Sequence, residues 1–78
     1  MTPREVTPEY AARVCAELTD LERRTLVLVL KGYGTKQIAD QFGRSVRTIE
    51  GTRIRAMERL GAINTVHGAV IATKGGLA

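Results

Sequence analysis

Helix start signals and helix stop signals alternate along this chain at intervals too short for anything but a set of compact helices. Thr7-Pro8-Glu9 reads as an N-cap, a proline at the first helical position and an acid in the first turn. Thr19-Asp20-Leu21-Glu22 has the spacing of a capping box, in which the Thr19 hydroxyl and the Glu22 carboxylate satisfy each other's backbone amides. Thr35 and Ser45 cap two further segments, and Gly32, Gly43 and Gly61 stand where helices stop. The pattern predicts helices over about 8–17, 20–31, 36–42, 46–60 and 64–73. The run Thr25-Leu26-Val27-Leu28-Val29-Leu30 would also suit a buried strand, but the capping box before it and the glycine after it decide for helix. The fold class is all-α.

A chain of 78 residues buries only about 60% of the surface it exposes when unfolded, so a core of this size needs help. One cysteine, Cys15, rules out an intrachain disulfide, and one histidine, His67, rules out a Cys/His zinc site. A partner subunit is the remaining aid, and no cofactor or metal is expected. Cys15 reads as a small core residue and His67 as a residue of the helix surface or of a dimer contact. His67 has no partner for catalysis, so no enzyme is expected. Gly32-Tyr33-Gly34-Thr35-Lys36 lacks phosphate-loop spacing and reads as an inter-helix turn, with Tyr33 covering the core. The longest apolar run, Leu26 to Leu30, is far short of the ~20 residues of a membrane span. Met1 to Glu5 has no apolar core of a secretion signal. A cytoplasmic protein with no membrane partner is expected.

The net charge is +4, and its location matters more than its size. Residues 1–31 are balanced, whereas residues 43–60 hold Arg44, Arg47, Arg53, Arg55 and Arg59 against Glu50 and Glu58. Arginine presents a planar fork suited to phosphates and guanine edges. In the same region Ile38, Ala39, Phe42, Gly43 and Ile49 have helix-turn-helix spacing. The alanine permits close helix crossing, the glycine permits the turn, and the isoleucine anchors the second helix on the first. In that motif the second helix enters the major groove. Its N-terminus offers free amides to phosphate, where Ser45 and Thr48 add hydroxyls. On a wheel centred on Ile49, Thr52, Ala56 and Leu60 lie within about 60° and form the core stripe, while Arg47, Gly51, Ile54, Arg55 and Glu58 lie opposite.

The last helix carries Val66, Ala69, Val70 and Thr73 as a narrow stripe. A helix of about ten residues is not stable alone and must bury such a stripe. Pairing with a second copy about a two-fold axis would bury the same patch twice and set two recognition helices roughly 34 Å apart, on a near-palindromic site.

Several segments resemble the LuxR/FixJ-type (GerE-like) DNA-binding domain. Leu18-Thr19-Asp20-Leu21-Glu22-Arg23 is similar to its "LTxRE" opening, and Gly32-Tyr33-Gly34-Thr35-Lys36-Gln37-Ile38-Ala39 to its "GxSNKEIA" segment. Ser45 through Arg53 resembles "SxRTVExHR", and Met57-Glu58-Arg59-Leu60-Gly61-Ala62 resembles "MEKLGA". The resemblance runs from Leu18 to about Thr73 and implies a four-helix helix-turn-helix domain, here with an additional short N-terminal helix. It implies binding to double-stranded DNA as a homodimer through the last helix, and the expectation is either a stand-alone regulator or one whose regulatory part is another protein. By the same resemblance Lys36, Arg47 and Thr48 are phosphate-contact positions, and Glu50, Gly51 and Ile54 face bases. The expected DNA-contacting set is completed by Thr35, Arg44, Ser45, Arg53 and Arg55.

The chain departs from the family at Thr52, where the family has histidine, and at Gly51 and Ile54, which carry no hydrogen-bonding side chain. Ile54 suits a thymine methyl instead. For Arg53, resemblance favours DNA, while its position nearer the core stripe favours a packed stem whose head reaches a phosphate or Glu50. Residues 1–17 match nothing in the family and read as an extension helix, 18–74 as the DNA-binding domain, and 75–78 as a frayed end. Two other functional readings fit the same residues. One is a module resembling the promoter-reading domain of sigma factors, working with RNA polymerase. The other is an antagonist that pairs with a larger LuxR-type regulator.

Overall fold

Hydroxyl and amide side chains begin four of the five helices, each by accepting a backbone N–H that the helix itself leaves unpaired. The computed structural model describes residues 5–77, so residues 1–4 of the segment tested above for a secretion signal, and residue 78 of the expected frayed end, lie outside the described residues. The helices are α1 (Pro8–Ala16), α2 (Asp20–Leu30), α3 (Thr35–Phe42), α4 (Val46–Leu60) and α5 (Thr65–Lys74). No strand occurs among the described residues. Thr7 Oγ1 accepts from Tyr10 N at 3.1 Å, Ser45 Oγ from Thr48 N at 3.1 Å and Asn64 Oδ1 from His67 N at 2.8 Å. The capping box of α2 is complete, with Glu22 N donating to Thr19 Oγ1 at 3.2 Å and Thr19 N to Glu22 Oε1 at 3.0 Å.

The start of α3 differs from expectation. Thr35 is its first residue rather than its cap, and Gly34 takes the cap position with extended backbone. Only the backward half of a box forms there, from Gly34 N to Gln37 Oε1 at 2.9 Å, because Gly34 has no side chain to supply the forward half. At the other end, Gly43 takes φ +64°, which a side chain would resist, and Arg44 N then closes onto Ala39 O at 2.9 Å. That closure leaves α4 only a short step from α3. Tyr33, expected to cover the core, is instead 46% exposed in the turn between α2 and α3.

The longest helix, α4, joins two cores. Near its start Ile49 packs with Ile38 and Ala39 of α3, flanked by Leu28, Val29 and Phe42. Farther along, Ala56 and Leu60 enter a larger cluster with Ala11, Val14, Cys15, Leu18, Leu26, Ile71 and Ala72. Arg24 of α2 lies over the Phe42 ring at 4.7 Å from its centroid, adding a cation–π contact between α2 and α3.

The N-terminal extension is part of this core, since Ala11, Val14 and Cys15 are buried in it. Tyr10 Oη donates to the Leu60 carbonyl at 2.6 Å, satisfying an acceptor that the end of α4 leaves free. Lys74 Nζ donates to the Val6 carbonyl at 2.8 Å. Leu77 packs on the same core and its amide bonds Ala72 O at 2.8 Å, so the tail is held after α5 ends. Burial raises the Cys15 thiol pKa, with Arg23 pulling it the other way, so the thiol behaves as core. No described helix is long and apolar enough to cross a membrane.

Thr25 is fully buried on α2, and its Oγ1 has no hydrogen-bond partner. Replacing a buried unpaired hydroxyl by a methyl group removes a desolvation penalty without changing shape. Thr25→Val should therefore raise stability by about 1 kcal/mol, read as a higher urea midpoint at unchanged slope. A lower midpoint would mean that this hydroxyl is satisfied in solution.

Candidate nucleic-acid interface

Ala39 is buried against Ile49, and its small side chain lets α3 and α4 cross closely. With Gly43 closing the turn, these contacts leave the start of α4 exposed. Ser45 Oγ also donates to Thr48 Oγ1 at 2.9 Å, so the two hydroxyls expected at a phosphate are held together there. Ser45, Val46, Arg47, Thr48 and Glu50 are all exposed, Gly51 is half-buried and Ile54 is 61% exposed. Ile49, Thr52, Ala56 and Leu60 are fully buried, as the wheel requires. Thr52, at the family's histidine position, turns its hydroxyl back onto the Thr48 carbonyl at 2.8 Å.

The basic segment does not act as one patch. Arg59 Nε lies 2.8 Å from Glu22 Oε1, and Arg55 Nε lies 3.9 Å from Glu22 Oε2. Arg55 also donates to Thr52 Oγ1 at 3.3 Å. Arg53 leans the other way and donates to Thr65 Oγ1, at the start of α5, at 3.4 Å rather than to Glu50. Among the described residues, Arg44 and Arg47 are the arginines of this segment with no ion-pair or hydrogen-bond partner for the side chain. Both sit at the N-terminal end of α4. At the start of α3, Lys36 is exposed and Thr35 half-buried.

Glu22 is the site residue whose full role the sequence reading missed. Its side chain is only 4% exposed, and it serves both the α2 cap and the α4 arginines. Burial alone would push its carboxyl pKa up, but the Thr19 amide and the Arg59 guanidinium outweigh that and hold it below the ordinary value. A signal was present. Leu18, Glu22 and Leu26 recur at spacings of four, so the carboxylate stands within an apolar stripe and needs a cation.

On α5 the core side is formed by Gly68, Ile71 and Ala72. The stripe expected to pair lies on the outer side, with Val66 75% and Val70 40% exposed, Thr73 exposed and Ala69 half-buried. Ile63, in the preceding turn, is 78% exposed. His67 is half-buried, and its Nδ1 accepts the Ile63 amide at 3.1 Å.

A short helix, a tight glycine turn and a second helix presenting a basic N-terminal end define a helix-turn-helix DNA-binding domain. The chain belongs to the bacterial regulatory proteins of the luxR family (GerE), whose sequence profile matches residues 16–72. That family is one of DNA-binding transcription regulators, not of enzymes. No curated protein and no solved structure gives a match.

The pH dependence of stability follows from Glu22. Because its folded pKa is depressed, its contribution is fully present above the ordinary glutamate value of about 4.3 and is lost as pH falls through the folded pKa. Glu22→Gln should lower stability by about 2 kcal/mol near neutral pH, and the gap to wild type should close progressively below about pH 4.3. Denaturant melts at a series of pH values test this, and a gap independent of pH would contradict it.

Proposed function

We propose that the chain is a sequence-specific transcription regulator that lays the N-terminal half of α4 in the major groove and binds a near-palindromic site as a dimer, in the cytoplasm. The observation that carries this reading is the sorting of the arginines. Arg53, Arg55 and Arg59 are engaged within the fold, whereas Arg44 and Arg47 face solvent at the end of α4 that enters the groove. Lys36, Arg44, Ser45 and Thr48 then serve phosphates, with Thr35 beside them. Arg47, Glu50, Gly51 and Ile54 line the floor. Arg55, whose side chain remains 56% exposed beside Glu22, and Arg53 stand on the flanks of the helix and reach phosphates only by exchanging their partners within the fold for DNA.

Selection of bound sequences from random DNA, followed by titration, tests the reading. If Arg47 reads a base, Arg47→Ala should weaken specific binding by about 1–3 kcal/mol and relax preference at one position. If it meets only phosphate, affinity should fall on every sequence and the salt slope should drop by about one. Unchanged binding would sink the assignment of Arg47.

The dimer half of the proposal rests on Val66 and Val70, apolar side chains exposed on a helix whose opposite side is already in the core. Ile63, in the turn before α5, is a further exposed apolar side chain. Two copies related by a two-fold axis would cover it on both subunits. Val70→Asp should abolish cooperative binding to a palindrome while leaving half-site binding and helical content intact. Sedimentation that finds a monomer at high concentration, with non-cooperative binding on DNA, would count against the dimer.

A further inference from the structure

We infer that Ile54 is a specificity-determining residue that packs on the C5-methyl group of a thymine in each half-site. The inference rests on the major-groove reading of α4 proposed above and adds the chemical group that one of its side chains recognises.

Ile54 is 61% exposed, although a branched aliphatic side chain of that size is ordinarily core. The helix does not need it for packing, because Ile49, Thr52, Ala56 and Leu60 fill the buried stripe. It stands instead on the groove face. Seven residues separate it from Arg47, which places the two side chains within about 20° of one line along the helix. Glu50 stands on the same face, so Ile54 is an apolar group in a row of charged ones.

Beside it the helix surface is covered by a neighbouring head rather than by a side chain of position 51. Gly51 has no side chain, and a Cβ built there would meet Arg55 Nη1 at 3.4 Å, so the Arg55 head lies back across the bare glycine. Arg55 is kept on that flank by Thr52 Oγ1 at 3.3 Å and Glu22 at 3.9 Å. Position 51 therefore adds no side chain of its own beside Ile54, and the neighbour on that side is the Arg55 guanidinium lying over the glycine.

Donors and acceptors of the major-groove edge gain nothing from a hydrocarbon. The apolar group that the groove offers is the thymine methyl. Seven residues of helix span about 10 Å, so the thymine is a different nucleotide from the one that Arg47 touches. A cytosine carrying a C5-methyl would present the same surface, which makes the contact sensitive to base methylation at that position.

The test uses the full chain and half-sites taken from the selected DNA. Each thymine is replaced in turn by uracil, which removes the methyl and leaves the pairing edges unchanged. At one thymine per half-site, uracil should weaken wild-type binding about fourfold, the effect of uncovering one methyl group. Cytosine methylated at C5 should bind better than cytosine at that position. Ile54→Ala should bind thymine and uracil sites alike, and Ile54→Val should keep most of the preference. Wild-type indifference to uracil everywhere, or a full thymine preference in Ile54→Ala, would overturn the inference while leaving the groove reading in place. A change in sedimentation on Ile54→Ala without loss of the thymine preference would assign the residue to a protein contact and overturn it too. Failure to enrich any sequence would remove the groove reading itself, and this inference with it.

Discussion

A single buried carboxylate sets the rotation of α4. Glu22 stands within an apolar stripe of α2 at 4% exposure, where an unpaired charge is not tolerated. Its local partner, the Thr19 amide, is fixed by the start of α2. Arg59 at 2.8 Å completes the set from α4, and Arg55 at 3.9 Å adds a weaker interaction. Both arginines lie on one flank of α4, so meeting Glu22 turns that flank toward α2. With Ile49, Ala56 and Leu60 facing the cores, the line through Arg47 and Ile54 is left facing solvent. Isolated surface ion pairs contribute little, but this one has a desolvated partner and determines which side chains are presented.

Local chemistry made the helices legible. The caps at Thr7, Thr19 and Ser45 and the stops at Gly32, Gly43 and Gly61 act over a few residues, and each is visible as a short string. The exception, Gly34 rather than Thr35 as the cap of α3, is equally local, because the Gln37 side chain satisfies the Gly34 amide from behind. Contacts between distant residues were harder to read. Tyr10 with Leu60 and Lys74 with Val6 join residues 50 and 68 apart, so the contacts that tie α1 to the ends of α4 and α5 are not visible as a short string, although the spacing of Ala11, Val14 and Cys15 marks a buried face.

The candidate site divides along the same boundary. That α4 has a buried stripe and an opposite exposed face follows from helical period, and the structure keeps both. Net charge, by contrast, only totals the arginines. Distributing them among Glu22, Thr65 and solvent requires neighbours on α2 and α5 that the charge of residues 43–60 cannot supply. The α5 stripe shows a related limit: its spacing identified a coherent face, but only the burial of Gly68, Ile71 and Ala72 shows that the other face is the one used for folding.

The Lys74–Val6 contact has an architectural consequence. At 2.8 Å it brings the two ends of the described chain to one corner, beside the C-terminal end of α4, where Tyr10 meets Leu60. Arg47 lies 13 residues back along that helix, about 20 Å away. Anything spliced onto either end would leave from this corner, with most of the length of α4 between it and Arg47. Such a fold can exchange sensors, linkers or tags at both ends and keep the N-terminal end of α4 unobstructed, which is the geometry of an interchangeable part.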